Sequence, residues 1–215
     1  MLSFVNKYAK NIYASQNGEE GILIECCKRL GIVKGHSVEA GGANGLFCSN
    51  SALLLKDHQW SGLFVEVSYD LHQQSKANWI DRPDVRHQCS KVDEKNINAF
   101  VDERCDLVSL DTDGSDYRIF EGMTAKPKIV IVEIDSRIPP DVDEFSAQGG
   151  SGFRPMVQLG ISKGYFLLCH VGNLIFVDRQ YKELFPEIDA DPLEYPEAYF
   201  LDAILTGDRS YLANV

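Results

Sequence analysis

Six carboxylates in this chain sit at the ends of strand-like runs: Glu39, Glu66, Asp111, Asp113, Glu133 and Asp135. The runs before them, such as GLFV ahead of Glu66 and KIVIV ahead of Glu133, read as buried strands. In open α/β sheets ligands bind outside the carboxyl ends of the strands, so the six acids should share one rim. Like charges at close range are unfavourable unless a cation, a proton or a positively charged ligand relieves them. The rim therefore reads as a site for a cationic cofactor, a divalent metal, or both.

The stretch Ser37–Asn50, SVEAGGANGLFCSN, adds a second kind of group. Gly41, Gly42 and Gly45 allow a tight turn and a close backbone approach to a ligand. Ser49 or Asn50 can cap a helix beginning SALLLK. A strand, a glycine turn and exposed helix N–H groups suit a polar or anionic ligand group. The stretch lacks GxGxxG spacing and the lysine of a P-loop, so alone it also reads as an ordinary tight βα turn. Glu66, 27 residues after Glu39, changes the balance. An acid ending the second strand of a βαβ unit can accept both ribose hydroxyls of an adenosine.

The elements that must carry these residues follow from the apolar periodicity. A lead-in over residues 1–17 precedes a helix from about Glu19 to Leu30, closed by Gly31. Gln16, Glu19 and Glu20 put more polar groups at its start than a cap requires. Strand two is Gly62–Val67, and a helix follows over Tyr69–Ile80. Val85–Ser90 reads as a strand, Asn96–Val101 as part of a helix, Asp106–Asp111 as a strand, and TDGSDYRIFEGM as a turn and helix. Lys128–Asp135 is the most β-like run and suits a central parallel strand covered on both faces. Pro139–Gly152 is a long polar loop, expected to act as a substrate lid or floppy segment. Pro155–Lys163 is helical, and Tyr165–His170 with Leu174–Val177 forms a hairpin around Gly172. The tail from Arg179 to YFLDAIL is expected as a docked helix or an oligomer contact. Strands alternating with helices and ending in a hairpin predict a doubly wound α/β sheet, mostly parallel, with an antiparallel C-terminal strand.

At 215 residues the chain suits one domain with a full core, and its 44% hydrophobic and 25% charged content is that of a soluble globular protein. A net charge of −11 argues against duplex nucleic acid and anionic membrane as partners. No apolar run reaches a membrane span, and MLSFVNKYAKNIYAS has no secretory-type stretch, so neither is expected. Cysteines 26, 27, 48, 89, 105 and 169 contain no CxxC pair. Buried free thiols in a reducing, cytoplasmic setting are the expectation. Oligomeric state is not legible.

Taken in order, SQNGEEGIL, VEAGGANG, CSNSALLL, SGLFVEV, DLVSLDTDGSDY and IVIVEID resemble the FkbM-type S-adenosylmethionine-dependent methyltransferases. The resemblance covers roughly residues 12–178. It implies a Rossmann-like class I methyltransferase fold and, for many members, methylation of hydroxyl groups on sugars or glycosylated products. It also implies roles for single residues. Glu39, Gly41 and Gly45 would lie along the methionine part of the cofactor, and Asn44, Ser49 and Asn50 would hold its amino-acid end. Glu66 would take the ribose, with Val67 and Ser90 flanking the adenine. Asp111 would face the sulfonium, and Gln16 and Glu20 would close over the pocket. This chain departs from the family's pattern at Ala43–Asn44 and in having Glu20 where Asp is usual.

Methyl transfer from a sulfonium mainly requires in-line alignment of acceptor oxygen, carbon and sulfur. A sugar hydroxyl is a poor nucleophile at neutral pH and needs a general base or a metal. Asp111, Asp113 and Glu133 are the candidate catalytic residues, with Asp113 or Glu133 as base. Asp111, Asp113, Glu133 and Asp135 are hard oxygen ligands suited to Mg²⁺ or Mn²⁺, with Asp111, Glu133 and Asp135 the set expected to hold it. His170 and His87 are second-choice bases that read more simply as strand-edge histidines. Two rivals stand beside the O-methyltransferase: an NAD-type oxidoreductase, which the missing GxGxxG disfavours, and a non-catalytic cofactor-binding module of a larger glycan-modifying protein.

Overall fold

Seven strands form one sheet in the order β3-β2-β1-β4-β5-β7-β6. The computed structural model describes residues 2–147 and 149–200. In chain order the strands are β1 (His36–Ala40), β2 (Ser61–Glu66), β3 (Val85–Cys89), β4 (Leu107–Leu110), β5 (Ile129–Glu133), β6 (Tyr165–Val171) and β7 (Asn173–Asp178). β1 through β5 are mutually parallel, and β7 runs antiparallel to both β5 and β6. Among the described residues seven helices accompany them: α1 (Leu2–Tyr8), α2 (Glu19–Leu30), α3 (Ala52–Asp57), α4 (Tyr69–Asn78), α5 (Ile97–Phe100), α6 (Asp116–Gly122) and α7 (Phe153–Ser162). The strand order reverses between β1 and β4, which opens a crevice above their carboxyl ends.

The strength of the β5 signal has a direct cause. Alternation along a strand sends successive side chains to opposite faces. Val130 and Val132 enter the core beneath α5, α6 and α7, while Ile129 and Ile131 enter the one beneath α1, α2 and α3. All four are fully buried, so a sheet covered on both sides needs an unbroken apolar run rather than an alternating one.

Most predicted boundaries agree with the structure to within two residues. α2 ends at Gly31, whose φ of 68° supplies the left-handed cap. α7 starts at Phe153, which leaves Pro155 in the first turn, where its missing N–H costs nothing. The β6–β7 hairpin turns on Gly172 at φ 84°. The cap of α3 differs from expectation: its N-cap is Ser51, and Ser49 contributes by accepting the Ala52 N–H at 3.1 Å. Beyond β7, a 3₁₀ turn (Arg179–Leu184) leads to Phe185 and Ile188, buried on one face of the sheet, and to Tyr199 and Phe200, buried on the other. Residues 201–215, which hold most of YFLDAIL, lie outside the described residues. Among the described residues no helix is long and apolar enough to cross a membrane. Cys26, Cys27 and Cys105 are buried free thiols as expected and Cys169 is buried, whereas Cys48 is half-buried and Cys89 exposed.

The lead-in is fixed by one side chain. The Glu20 carboxylate, 1% exposed, accepts the backbone N–H groups of Ile12, Tyr13 and Ala14 at 2.7, 2.7 and 2.8 Å. These amides precede α2 and have no ladder to join. Glu20→Ala should therefore cost about 2 kcal/mol. Denaturant unfolding would measure the loss, and amide exchange should accelerate at residues 12–14.

Candidate active site

The rim above the β1–β4 reversal is built from the glycine stretch outward. Gly41 leaves β1 at φ 80°, and a Cβ there would lie 1.6 Å from the Asp111 carbonyl oxygen. Only glycine lets the ends of β1 and β4 approach this closely. Glu39, 4% exposed, points up from β1 into the loop. Its carboxylate accepts from Ser49 Oγ at 2.9 Å, Ser51 Oγ at 2.5 Å, and the N–H groups of Asn50 and Ser51 at 3.2 and 3.1 Å. Burial raises its pKa, and these donors pull it back down. The turn is closed on its other side by Glu66, which accepts the Ala43 N–H at 2.9 Å and the Ser68 N–H at 2.7 Å. Each Glu66 oxygen has one such partner, so a second lone-pair direction on each stays open to a ligand.

These elements enclose a cleft of about 670 Å³. Glu39, Gly41, Ala43, Glu66, Asp111, Asp113 and Glu133 line it, with Val65, Val67, Leu71 and Val92 as its apolar wall and Gln16 at its margin. Ser90, Lys91, Phe47, Cys48, Thr112 and Ser115 complete the lining. Three lining residues that are not glycine hold left-handed backbone: Ala43 at φ 44°, Cys48 at 57° and Asp113 at 57°. Such conformations persist where the surroundings over-determine them, and they gather at functional sites. For Asp113 the determining group is Asp116, whose carboxylate accepts the Thr112 N–H, the Thr112 hydroxyl and the Gly114 N–H at 2.8, 2.9 and 3.1 Å.

A second cavity of about 430 Å³ adjoins the first. It lies over the end of β5, lined by Asp116, Asp135, Ser136, Arg137, Ser146 and Gly150 among others. Asp113 and Glu133 line both spaces. Oxygens of Asp111, Asp113 and Glu133 lie within 4.8 Å of one another. Burial, then the neighbouring Asp116 and Asp113, pushes Asp111 up to about 6. Burial, then Asp111, pushes Glu133 further, up to about 8. Either a shared proton or a divalent cation relieves this crowding, and three hard carboxylate oxygens at this spacing suit Mg²⁺ or Mn²⁺.

Several expected site residues have other duties. Ser49 and Asn50 are 1% and 2% exposed and do not line the cleft. They serve Glu39, and the Asn50 side chain donates to Ser109 Oγ at 3.0 Å. Asn44 turns its side-chain oxygen to the N–H groups of Leu46 and Phe47. Gly45 packs against Ser75 and Trp79. Glu20 holds the lead-in rather than lying over the cleft. Asp135 is outside the carboxylate trio: Arg137 pairs with both of its oxygens, at 2.8 and 2.7 Å, and holds its pKa down. Asp113 stands in the trio instead. His87 stacks on Phe64, and burial lowers its pKa to about 4. His170 lies on β6, the outer strand of the sheet, and is fully buried there. Neither lines the cleft. Sequence reasoning missed the second cavity, whose residues lie in a loop without periodicity, although the Asp135-x-Arg137 spacing announces their pairing.

No protein-family model matches the sequence, and no curated protein sequence matches it. Solved structures do share its architecture. The bifunctional kinase-methyltransferase WbdD aligns with a TM-score of 0.57 at 14% identity, over 83% of this chain and 46% of WbdD. The CurJ carbon methyltransferase aligns with a TM-score of 0.51 at 11% identity, over 76% of this chain and 54% of CurJ. The chain thus spans about half the length of either protein. Its fold is that of the Rossmann-like class I methyltransferases.

The trio has a measurable signature in stability. Both native pKa values lie above the ordinary 3.8 of Asp and 4.5 of Glu. Through these two groups the native state holds extra protons between about pH 4 and 8; His87, held near 4, offsets them below pH 6.5, so stability should fall as pH rises from about 6.5 to 8. Thermal melting across that range should show the decline, and Glu133→Gln should flatten it.

Proposed function

We propose that the chain is an S-adenosylmethionine-dependent O-methyltransferase of the FkbM type that acts on a sugar hydroxyl. The observation that carries this reading is the pair of cavities meeting at Asp113 and Glu133, above the strand reversal of a methyltransferase sheet. One space is sized for the methyl donor and the other for an acceptor.

In this reading Glu66 accepts hydrogen bonds from the ribose hydroxyls through its free lone pairs, while Val67, Leu71, Val92 and Ser90 enclose the adenine. Gly41 lets the donor's methionine portion lie against the backbone. Asp111 and Asp113 stabilise the sulfonium side. Without a bound cation, Glu133, whose pKa is raised by burial, takes the acceptor's proton as its oxygen moves onto the methyl carbon. Asp111, Asp113 and Glu133 would hold a divalent cation, which when bound lowers the pKa of a hydroxyl beside it. The carboxylate-rich lining disfavours a nicotinamide dinucleotide, whose pyrophosphate would meet Glu39 and Asp111. The fold alone leaves the acceptor atom open, so the hydroxyl rests on the trio and on the sequence resemblance.

Calorimetric titration with S-adenosylmethionine should give saturable binding, and Glu66→Ala should weaken it by about tenfold or more while the fold persists. Absence of heat and of any thermal shift in the parent protein would sink the reading. Transfer of labelled methyl to a panel of methyl glycosides tests the acceptor class, and Asp111→Asn should abolish it. If a metal serves the site, Mg²⁺ should restore thermal stability at pH 8 and not at pH 5, because only ionised carboxylates bind it. Activity unchanged by EDTA would exclude that role.

A further inference from the structure

The acceptor cavity has a wall group that the reading above does not use. Ser136 lines the cavity yet is only 5% exposed. Its Oγ lies 3.0 Å from Nε2 of His170, which is fully buried. His170 pairs with Leu174 of β7, and Leu174 pairs in turn with Val132 of β5, so the imidazole reaches Ser136 across the start of β7. Phe153 and Phe200 stand against the ring at centroid distances of 6.1 and 4.8 Å. Packing therefore fixes the imidazole, and the imidazole fixes the direction of the serine hydroxyl. A preorganised hydroxyl at a cavity wall is a recognition group.

We infer that Ser136 contacts the acceptor and that His170 is the residue that positions it. The inference rests on the methyl-transfer reading and specifies the substrate further. Asp113 and Glu133 border both cavities, so the reacting oxygen sits beside them. Ser136 borders the acceptor cavity alone, off the transfer line, so it engages a second hydroxyl. The acceptor is thus a polyol with at least one hydroxyl besides the one methylated. A site built to hydrogen-bond such a group rejects analogues that lack it.

The test uses the full chain with ¹⁵N-labelled histidine, saturated with S-adenosylhomocysteine and titrated with a panel of methyl glycosides. The His170 ring-nitrogen resonances should move in the parent protein and stay still in Ser136→Ala. In turnover, Ser136→Ala should raise the acceptor KM about tenfold while kcat changes by less than about twofold. His170→Phe keeps the ring volume but loses the polar contact and should match Ser136→Ala. His170→Gln can present an amide near the Nε2 position and should recover acceptor KM to within about threefold of the parent. A role in packing alone reverses that order, with Phe tolerated and Gln impaired, and would overturn the inference. It also fails if no glycoside shifts His170 in the parent protein, or if Ser136→Ala leaves KM unchanged. Donor affinity, measured alongside, should be unaltered in Ser136→Ala. Failure of the parent protein to bind donor at all would instead overturn the methyltransferase reading.

Discussion

The buried carboxylate of Glu39 organises the loop on which the cleft depends. Polar groups along Ser49–Ser51 must leave water as the chain passes from β1 into α3, and an unpaired buried donor is costly. Glu39 gathers two hydroxyls and two amides of that segment onto one side chain. This draws the loop down over β1 and leaves the ends of β1 and β4 close enough that Gly41 meets the Asp111 carbonyl. Glu66 then ties the near side of the same loop to β2 through Ala43. The depth of the cleft follows from these two acids, one wholly engaged and one with capacity to spare.

Acid–backbone anchoring recurs around the rim. Glu20 holds the lead-in, Asp116 holds the turn that carries Asp113, and Asp135 is held by Arg137. Each uses its carboxylate to satisfy groups the fold would otherwise leave unpaired. What remains is the trio Asp111, Asp113 and Glu133, crowded together, with Asp111 and Glu133 raised in pKa. The contrast separates scaffold from chemistry better than acidity does, because most of the rim's acids already have partners.

That contrast also explains what could be read in advance. The strand ends were legible because burial on two faces demands continuous apolar runs, as in Ile129–Val132, and because Gly31 and Gly172 mark turns whose backbone requires them. Glu66 was legible from its position at the end of β2. Ser49, Asn50, Asn44 and Glu20 were not separable from ligand contacts, since a polar residue near a glycine turn can serve a ligand or the fold's own amides with equal ease. The pairing of Asp135 with Arg137 was not legible from strand-end position, which alone cannot reveal a partner two residues on. Ser136 and its cavity lie where the chain has no period, and His170 gains meaning only when β7 brings it beside β5.

The wall shared by the two cavities has a thermodynamic consequence. A charged ligand that enters either space shifts the protonation of Glu133, and the other space feels that change through the same side chain. Affinities on the two sides are then linked, and by reciprocity each occupant alters the other's binding by an equal factor. No hinge or closing lid is required for this coupling. It arises from proton bookkeeping at a partition two carboxylates thick, and it makes the order in which the spaces fill a function of pH.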